Sequence, residues 1–313
     1  MDAEATPSDP QARTVVVYAP GPIITVTIER GDPCEIHLHA GGQGAWVARM
    51  LANLGIDPVM CAAIGGETGD VVRDRLEHED VTVEATPTSS WNGAYVHDRR
   101  FDERIEVARV DAPKLTRHEA DDLYGNTISQ AVKAGVCVLT GSEPERVGAD
   151  TYGRLTTDLR ANDVIVIADL AGAPLRAAAA AGVDLVKVSH EELLADGWAT
   201  SADETGLLAA AGALRDAGAH DVVVSHADQP TLALLGTEAL RAAGPRVDAR
   251  EPRGAGDSMT AALAAAVVSE LPIAEGLALA VAAGTLNATR RGLGTGERSQ
   301  IEQLAHSVEI TRV

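Results

Sequence analysis

The chain has 313 residues, 45% of them apolar and only 3% aromatic, so Ala, Val, Leu and Ile have to build the core of one large domain. The 46 Asp and Glu residues against 26 Lys and Arg leave a net charge of −20, which repels phosphate backbones and anionic lipid and argues against nucleic acid and membrane surfaces as partners. The three cysteines, Cys34, Cys61 and Cys137, share no metal-ligand spacing and read as reduced intracellular thiols.

Residues 1–13 are acidic without an apolar run, so a short disordered tail is expected there rather than a leader. A first strand follows at Thr14–Tyr18. Ile23–Ala40 then alternates, with Ile36 and Leu38 on one side and Glu35, His37 and His39 on the other. Gly41-Gly42-Gln43-Gly44 leads into a helix at Ala45–Leu54, whose Val47, Met50, Leu51 and Leu54 share one face. A strand at Val59–Ile64 runs into the glycine-rich loop Gly65–Asp70. Ala94–Arg109 reads as a hairpin around the polar turn Asp98-Arg99-Arg100.

From there the rhythm is regular. Helices are expected at Arg117–Ala134, Asp150–Arg160 and Thr205–Ala217. Strands are expected at Val136–Thr140, Val164–Asp169, Asp184–Val188, Asp221–Ser225 and Thr231–Leu235. Continuous apolar strands separated by helices predict a three-layer α/β fold with a mostly parallel sheet covered on both faces. The two alternating stretches break that order. They are read together as an accessory sheet, a lid of about residues 23–40 and 94–109 on a domain running from 14 to 313. The longest apolar run, Met259 to Val268, is far below the ~20 residues of a membrane span, and a cytoplasmic protein is expected.

The strongest chemical signal is Arg253-Gly254-Ala255-Gly256-Asp257-Ser258, leading into the apolar helical run from Met259. Small residues at a helix start let backbone N–H groups converge on an anion, aided by the helix dipole. A carboxylate there opposes plain anion binding. It makes sense if Asp257 takes the proton from a hydroxyl that attacks a phosphoryl group held by those N–H groups. Alternatively, Asp257 only caps a packing helix. The Gly41–Gly44 turn cradles a ligand or simply joins strand to helix. It is not a Walker A loop, and Val47 stands where a dinucleotide fingerprint needs its last glycine. His37 and His39 share a strand face, but no third metal ligand is apparent.

The order of these motifs resembles the phosphofructokinase B branch of the ribokinase-like carbohydrate kinases, nearest the 1-phosphofructokinase and tagatose-6-phosphate kinase group. The resemblance rests on Gly41–Gly44, Gly65–Asp70, Pro113-Lys114-Leu115-Thr116, and Leu139-Thr140-Gly141-Ser142-Glu143-Pro144. It continues through Asp169, Val186-Lys187-Val188 with Glu191-Glu192, Val223-Val224-Ser225, and Gly254–Ser258. It implies ATP-dependent transfer of the γ-phosphoryl group to a sugar hydroxyl, with Mg²⁺ and, as a further candidate cofactor, a monovalent cation. Asp257 would be the base, and Gly254, Ala255 and Gly256 the anion hole. Lys187, Ser189, Glu192, Ser225 and Asn287 would bind ATP, with Glu192 also organising Mg²⁺ through water. Gly41, Gly42, Gln43 and His39 would face a small-molecule acceptor under the lid, and the lid sheet would also make a homodimer.

The chain departs from that pattern mainly at the acceptor. The N-P-x-x-D motif reads Ala19-Pro20-Gly21-Pro22-Ile23, and GGKG-x-N reads Gly41-Gly42-Gln43-Gly44-Ala45-Trp46. On the nucleotide side, N-x-x-E retains only Glu192, and the loop after Ser225 reads His226-Ala227-Asp228-Gln229-Pro230. The missing residues predict an acceptor other than fructose 1-phosphate or fructose 6-phosphate, unless Arg104, Arg109 or Arg146 restores a phosphate site. They also motivate a competing function, a catalytically silent nucleotide- or metabolite-binding protein on the same scaffold.

Overall fold

A computed structural model describes residues 13–101, 104–141, 146–247, 253–290 and 293–313. The expected tail, apart from Arg13, and Ser142, Glu143 and Pro144 lie outside the described residues.

The first half of the described chain runs β1 (Thr14–Ala19), β2 (Ile23–Glu29), β3 (Glu35–Gly41), α1 (Gln43–Asn53), β4 (Asp57–Ile64), α2 (Gly66–Glu77), β5 (Thr82–Pro87), β6 (Gly93–Asp98), β7 (Ile105–Val110), α3 (Arg117–Ala134) and β8 (Val136–Thr140). It continues through α4 (Asp150–Arg160), β9 (Ile165–Asp169), α5 (Gly172–Ala180), β10 (Leu185–Ser189), α6 (His190–Ala195), α7 (Glu204–Asp216) and β11 (Asp221–Ser225). It ends with β12 (Thr231–Leu235), β13 (Glu238–Ala243), α8 (Ala255–Val268), α9 (Ile273–Ala288), α10 (Arg298–Ala305) and β14 (Glu309–Arg312).

The large sheet has the order β14-β13-β12-β11-β10-β9-β8-β1-β4-β5. From β5 to β11 its strands are parallel, and β12, β13 and β14 add antiparallel pairs at one edge. Strand β1 is the switch point. The chain builds outward from it to β4 and β5, then returns to its other side with β8. In open α/β sheets, ligands bind beyond the carboxyl ends of strands at such a point.

Residues of β1 alternate between two cores. Val15, Val17 and Ala19 join the face covered by α1 and α8, whereas Val16 and Tyr18 join the face covered by α3 and α4. Beyond its first two turns helix α8 is apolar, and it is buried from Asp257 to Ala266, as expected of a helix enclosed in the core. Its alanines bring it close to α1, α9 and the sheet.

The two alternating stretches form a second sheet, β3-β2-β6-β7. Each stretch folds as an antiparallel hairpin, and the hairpins join through a parallel β2–β6 pair. Its polar face, with Thr25, Thr27, His37 and His39, lines a cleft beside α1, while its apolar face joins the main core at one end through Ile24 and Ala40 and is open at the other, at Ile36 (61% exposed) and Leu38 (45% exposed).

Three strands were not legible. Glu238–Ala243 consists of helix-favouring residues and is strand only because β12 and β14 pair with it. Thr82–Pro87 and Glu309–Arg312 are edge strands, too short or too polar to show a pattern.

Candidate active site

Gly254 precedes α8 with φ 73°, a left-handed conformation that glycine adopts without a Cβ clash. Ala255, Gly256 and Asp257 form the first turn, where amide groups have no intrahelical acceptor. The first bond of the helix proper runs from Ser258 N to Gly254 O at 2.9 Å. The expected anion hole and base therefore share one turn of one helix.

Asp257 is 8% exposed. Burial is the main influence on its carboxyl and the Asp169 carboxylate the next; Lys187 offsets them in part, and the group is pushed up to about 7. A carboxyl with that proton affinity is half charged near neutral pH, which suits a general base.

Parallel strands bring the nucleotide-side residues to one edge. Ser189 and Ser225 sit side by side at the carboxyl ends of β10 and β11. Ser189 caps α6 reciprocally: its N–H and hydroxyl donate to the Glu192 carboxylate at 2.8 Å each, and Glu192 N donates back at 3.2 Å. The next residues along, His190 and His226, bring their rings together at a tilt of 51° with centroids 4.6 Å apart, a contact no sequence motif signals.

Lys187 and Asn287 are enclosed. Lys187 is 4% exposed, with its ammonium 3.2 Å from Asp169. Asn287 is fully buried and stitches backbone together. Its amide donates to Arg253 O at 2.8 Å, and its carbonyl accepts from Gly294 N at 2.9 Å and Thr295 N at 3.2 Å.

A cleft of about 1040 Å³ lies between the inner face of the small sheet, α1 and the segment before Gly254. His37, His39, Ile23 and Trp46 line it, and Arg253 reaches it from the residue before Gly254. Gln43, expected among them, instead accepts a 2.9 Å bond from Gly141 N, tying α1 to the end of β8.

Six arginines line the cleft: Arg49, Arg99, Arg104, Arg109, Arg253 and Arg290. Arg49 is committed to Glu79 and to the carbonyls of Leu293 and Ala40. Arg104 and Arg109 each lie over the ring of the small sheet's Tyr95, 5.0 and 5.1 Å from its centroid. Arg146 is not among them. It is buried, and donates to the carbonyls of Pro20 and Pro113.

Asp257 thus stands buried in the first turn of α8, and the cleft that Arg253 reaches is lined by arginines together with Glu29, Glu79, Asp80, Glu106 and Glu297. The family model described as pfkB family carbohydrate kinase matches residues 27–300, and the chain belongs to that family. It is 28% identical over 281 residues to the 1-phosphofructokinase of Bacillus subtilis, covering 88% of this chain and 89% of that one. It is also 28% identical over 257 residues to the ATP-dependent 6-phosphofructokinase isozyme 2 of Escherichia coli, covering 80% and 82%. Among solved structures, phosphofructokinase-2 from Escherichia coli in complex with potassium superposes with a TM-score of 0.84 at 24% identity, covering 94% of this chain and 98% of that one. Arabidopsis thaliana ribokinase with ribose and ATP gives 0.75 at 18% identity, covering 94% and 99%.

Proposed function

We propose that the protein moves the γ-phosphoryl group of ATP to a hydroxyl of a small phosphorylated sugar, with Asp257 as the base. The carrying observation is the single turn that supplies both the carboxyl at about 7 and the free amides of the anion hole. Asp257 takes the acceptor's hydroxyl proton as the oxygen attacks phosphorus. The amides of Gly254, Ala255 and Gly256 hold the transferring group in line.

The residues present fit ATP and Mg²⁺. Mg²⁺ usually takes one or two carboxylates together with phosphates and waters, and Glu192 supplies one carboxylate at the nucleotide edge. Among the described residues there is no cluster of His, Cys, Asp and Glu that would hold a metal by itself. Bound there, Mg²⁺ would neutralise charge on the phosphates. Ser189 and Ser225 border the same edge, with Lys187 beneath it. Asn287 supports the site through the backbone of Arg253.

The acceptor reading follows the exception allowed for in the sequence, that Arg104 or Arg109 restores a phosphate site. Arg104, Arg109 and Arg253 in the cleft can bind a phosphate, in a chain whose net charge is −20. Ile23 and Trp46 still line the cleft where relatives carry polar groups, so the sugar end should differ from theirs. The test is acceptor-dependent ADP release across fructose phosphates, tagatose 6-phosphate, neutral sugars and nucleosides. Phosphorylated acceptors should lead by at least tenfold in kcat/KM. Turnover of neutral acceptors alone would remove the phosphate from the reading, and ATP binding without any turnover would favour the silent-scaffold function.

The small sheet acts as a lid in this reading, and its outer face as a dimer contact. Ile36, Leu38, Ile105 (47% exposed) and Val107 (57% exposed) present apolar surface to solvent. Ile36→Asp with Leu38→Asp should convert a dimer to monomers in sedimentation velocity; an unchanged sedimentation coefficient would place any assembly elsewhere. No helix among the described residues is long and apolar enough to cross a membrane, and we place the activity in the cytoplasm, where ATP is supplied.

A further inference from the structure

Beneath the proposed anion hole lies an ion pair whose carboxylate phosphoryl transfer, as described, leaves without a task. Asp169 ends β9 and stands in register beside Lys187 of β10. The ammonium is 3.2 and 3.3 Å from the two carboxylate oxygens, and the residues are 1% and 4% exposed. Thr260, one turn beyond Asp257, donates its hydroxyl to the same carboxylate at 2.6 Å. That hydroxyl also lies 3.1 Å from Gly256 O. The ammonium sits directly under the turn, because a Cβ added to Gly256 would stand 2.4 Å from Lys187 Nζ. Buried ion pairs are weak contributors to stability, so stability alone does not account for this one.

We infer that Asp169 is a positioning residue acting through Asp257: with Lys187 and Thr260 it fixes the first turn of α8 and sets when the base is charged. The inference rests on reading Asp257 as the base. Three charged groups act on Asp257 from the elements around it. Asp169 on β9 opposes its ionisation most, Lys187 on β10 favours it, and Glu192 on α6 adds a weaker opposition. Neutralising Asp169 leaves Lys187 as the dominant neighbour, and the base then stays charged to lower pH. Neutralising Lys187 has the reverse effect. Opposite displacements from the two halves of one ion pair are the signature of electrostatic control. Loss of packing would lower the rate of both variants without separating their titrations.

The experiment compares Asp169→Asn, Lys187→Met and the double variant with the wild type, in two readouts. One is the pH dependence of kcat with ATP and the best acceptor. The other is an infrared titration of the Asp257 carboxyl, isolated as the difference from Asp257→Asn, which needs no turnover. The acid limb and the infrared midpoint should fall by about 1 pH unit or more in Asp169→Asn and rise in Lys187→Met. The double variant leaves neither charge uncompensated, so it keeps the test alive if a single variant fails to fold. Its midpoint should fall by less than that of Asp169→Asn. Midpoints that stay at the wild-type value in every folded variant, or single variants that move together, would overturn the inference. If the wild type shows no turnover, the kinase reading fails by itself and the infrared titration still decides this one.

Discussion

Asp257→Asn is expected to reduce kcat by ~10²–10⁴ while leaving ATP affinity close to the wild-type value. The same substitution should stabilise the fold at alkaline pH. The carboxyl is pushed up to about 7 in the folded protein from an ordinary value of 3.8. Its charged form is therefore disfavoured on folding. That cost is absent below about pH 4, grows as pH rises towards 7, and is fully present above it. A displacement of about three pH units corresponds to ~4 kcal/mol at most, and partial relaxation puts the expected gain at pH 8 at roughly 1–4 kcal/mol. Urea unfolding at pH 4 and pH 8 measures it. A wild-type kcat would remove Asp257 from the chemistry, and equal stability differences at the two pH values would show that its burial carries no such cost.

Asn287→Ala should be the most damaging change that touches no reactant. It deletes a buried donor to Arg253 O and a buried acceptor for the amides of Gly294 and Thr295. Losing partners for buried backbone groups costs about 1–3 kcal/mol each, so a total of roughly 3–5 kcal/mol is expected after partial rescue by water. Because Arg253 O anchors the residue before Gly254, kcat should fall by ~10-fold or more at temperatures where the variant remains folded. Thermal unfolding together with steady-state kinetics separates this from direct nucleotide binding. A raised KM for ATP with unchanged Tm would mean that Asn287 contacts ATP itself.

The sequence made the α/β alternation readable because most strands of the large sheet are short apolar runs bounded by helices with clear polar faces. The Arg117–Ala134 and Asp150–Arg160 helices appear with the expected bounds. Helix α3 is fixed by a capping box between Thr116 and Glu119, which places its start at one residue. The glycine turn and the Asp257 proposed as base stand out in the sequence for the same reason: their chemistry is local in the chain. What stayed hidden is made by residues far apart in sequence. The Asp169–Lys187–Thr260 cluster joins two strands and a helix. The motif assigns Lys187 to the nucleotide but records residue type, and neither its burial nor its ion pair with Asp169. The cleft arginines were partly anticipated, but alternation could not say which face of the small sheet would turn inward. Arg146 likewise looked available for a phosphate, yet it braces the backbone of Pro20 and Pro113.

The small sheet also divides the molecule by tolerance to change. The proposed base and anion hole belong to a helix enclosed by the main core, so a substitution there is transmitted at once through close-packed alanines. The residues proposed to face the acceptor sit on the four-stranded sheet and α1, and that sheet also packs on α2 through β2 and β3. Cleft-facing side chains such as Tyr95, which touches His97, Arg104 and Arg109, can be exchanged without disturbing α8. Acceptor preference is then a separable trait, and a chimera carrying residues 23–41 and 93–110 from a relative would inherit the donor's choice of sugar while keeping this chain's phosphoryl-transfer machinery.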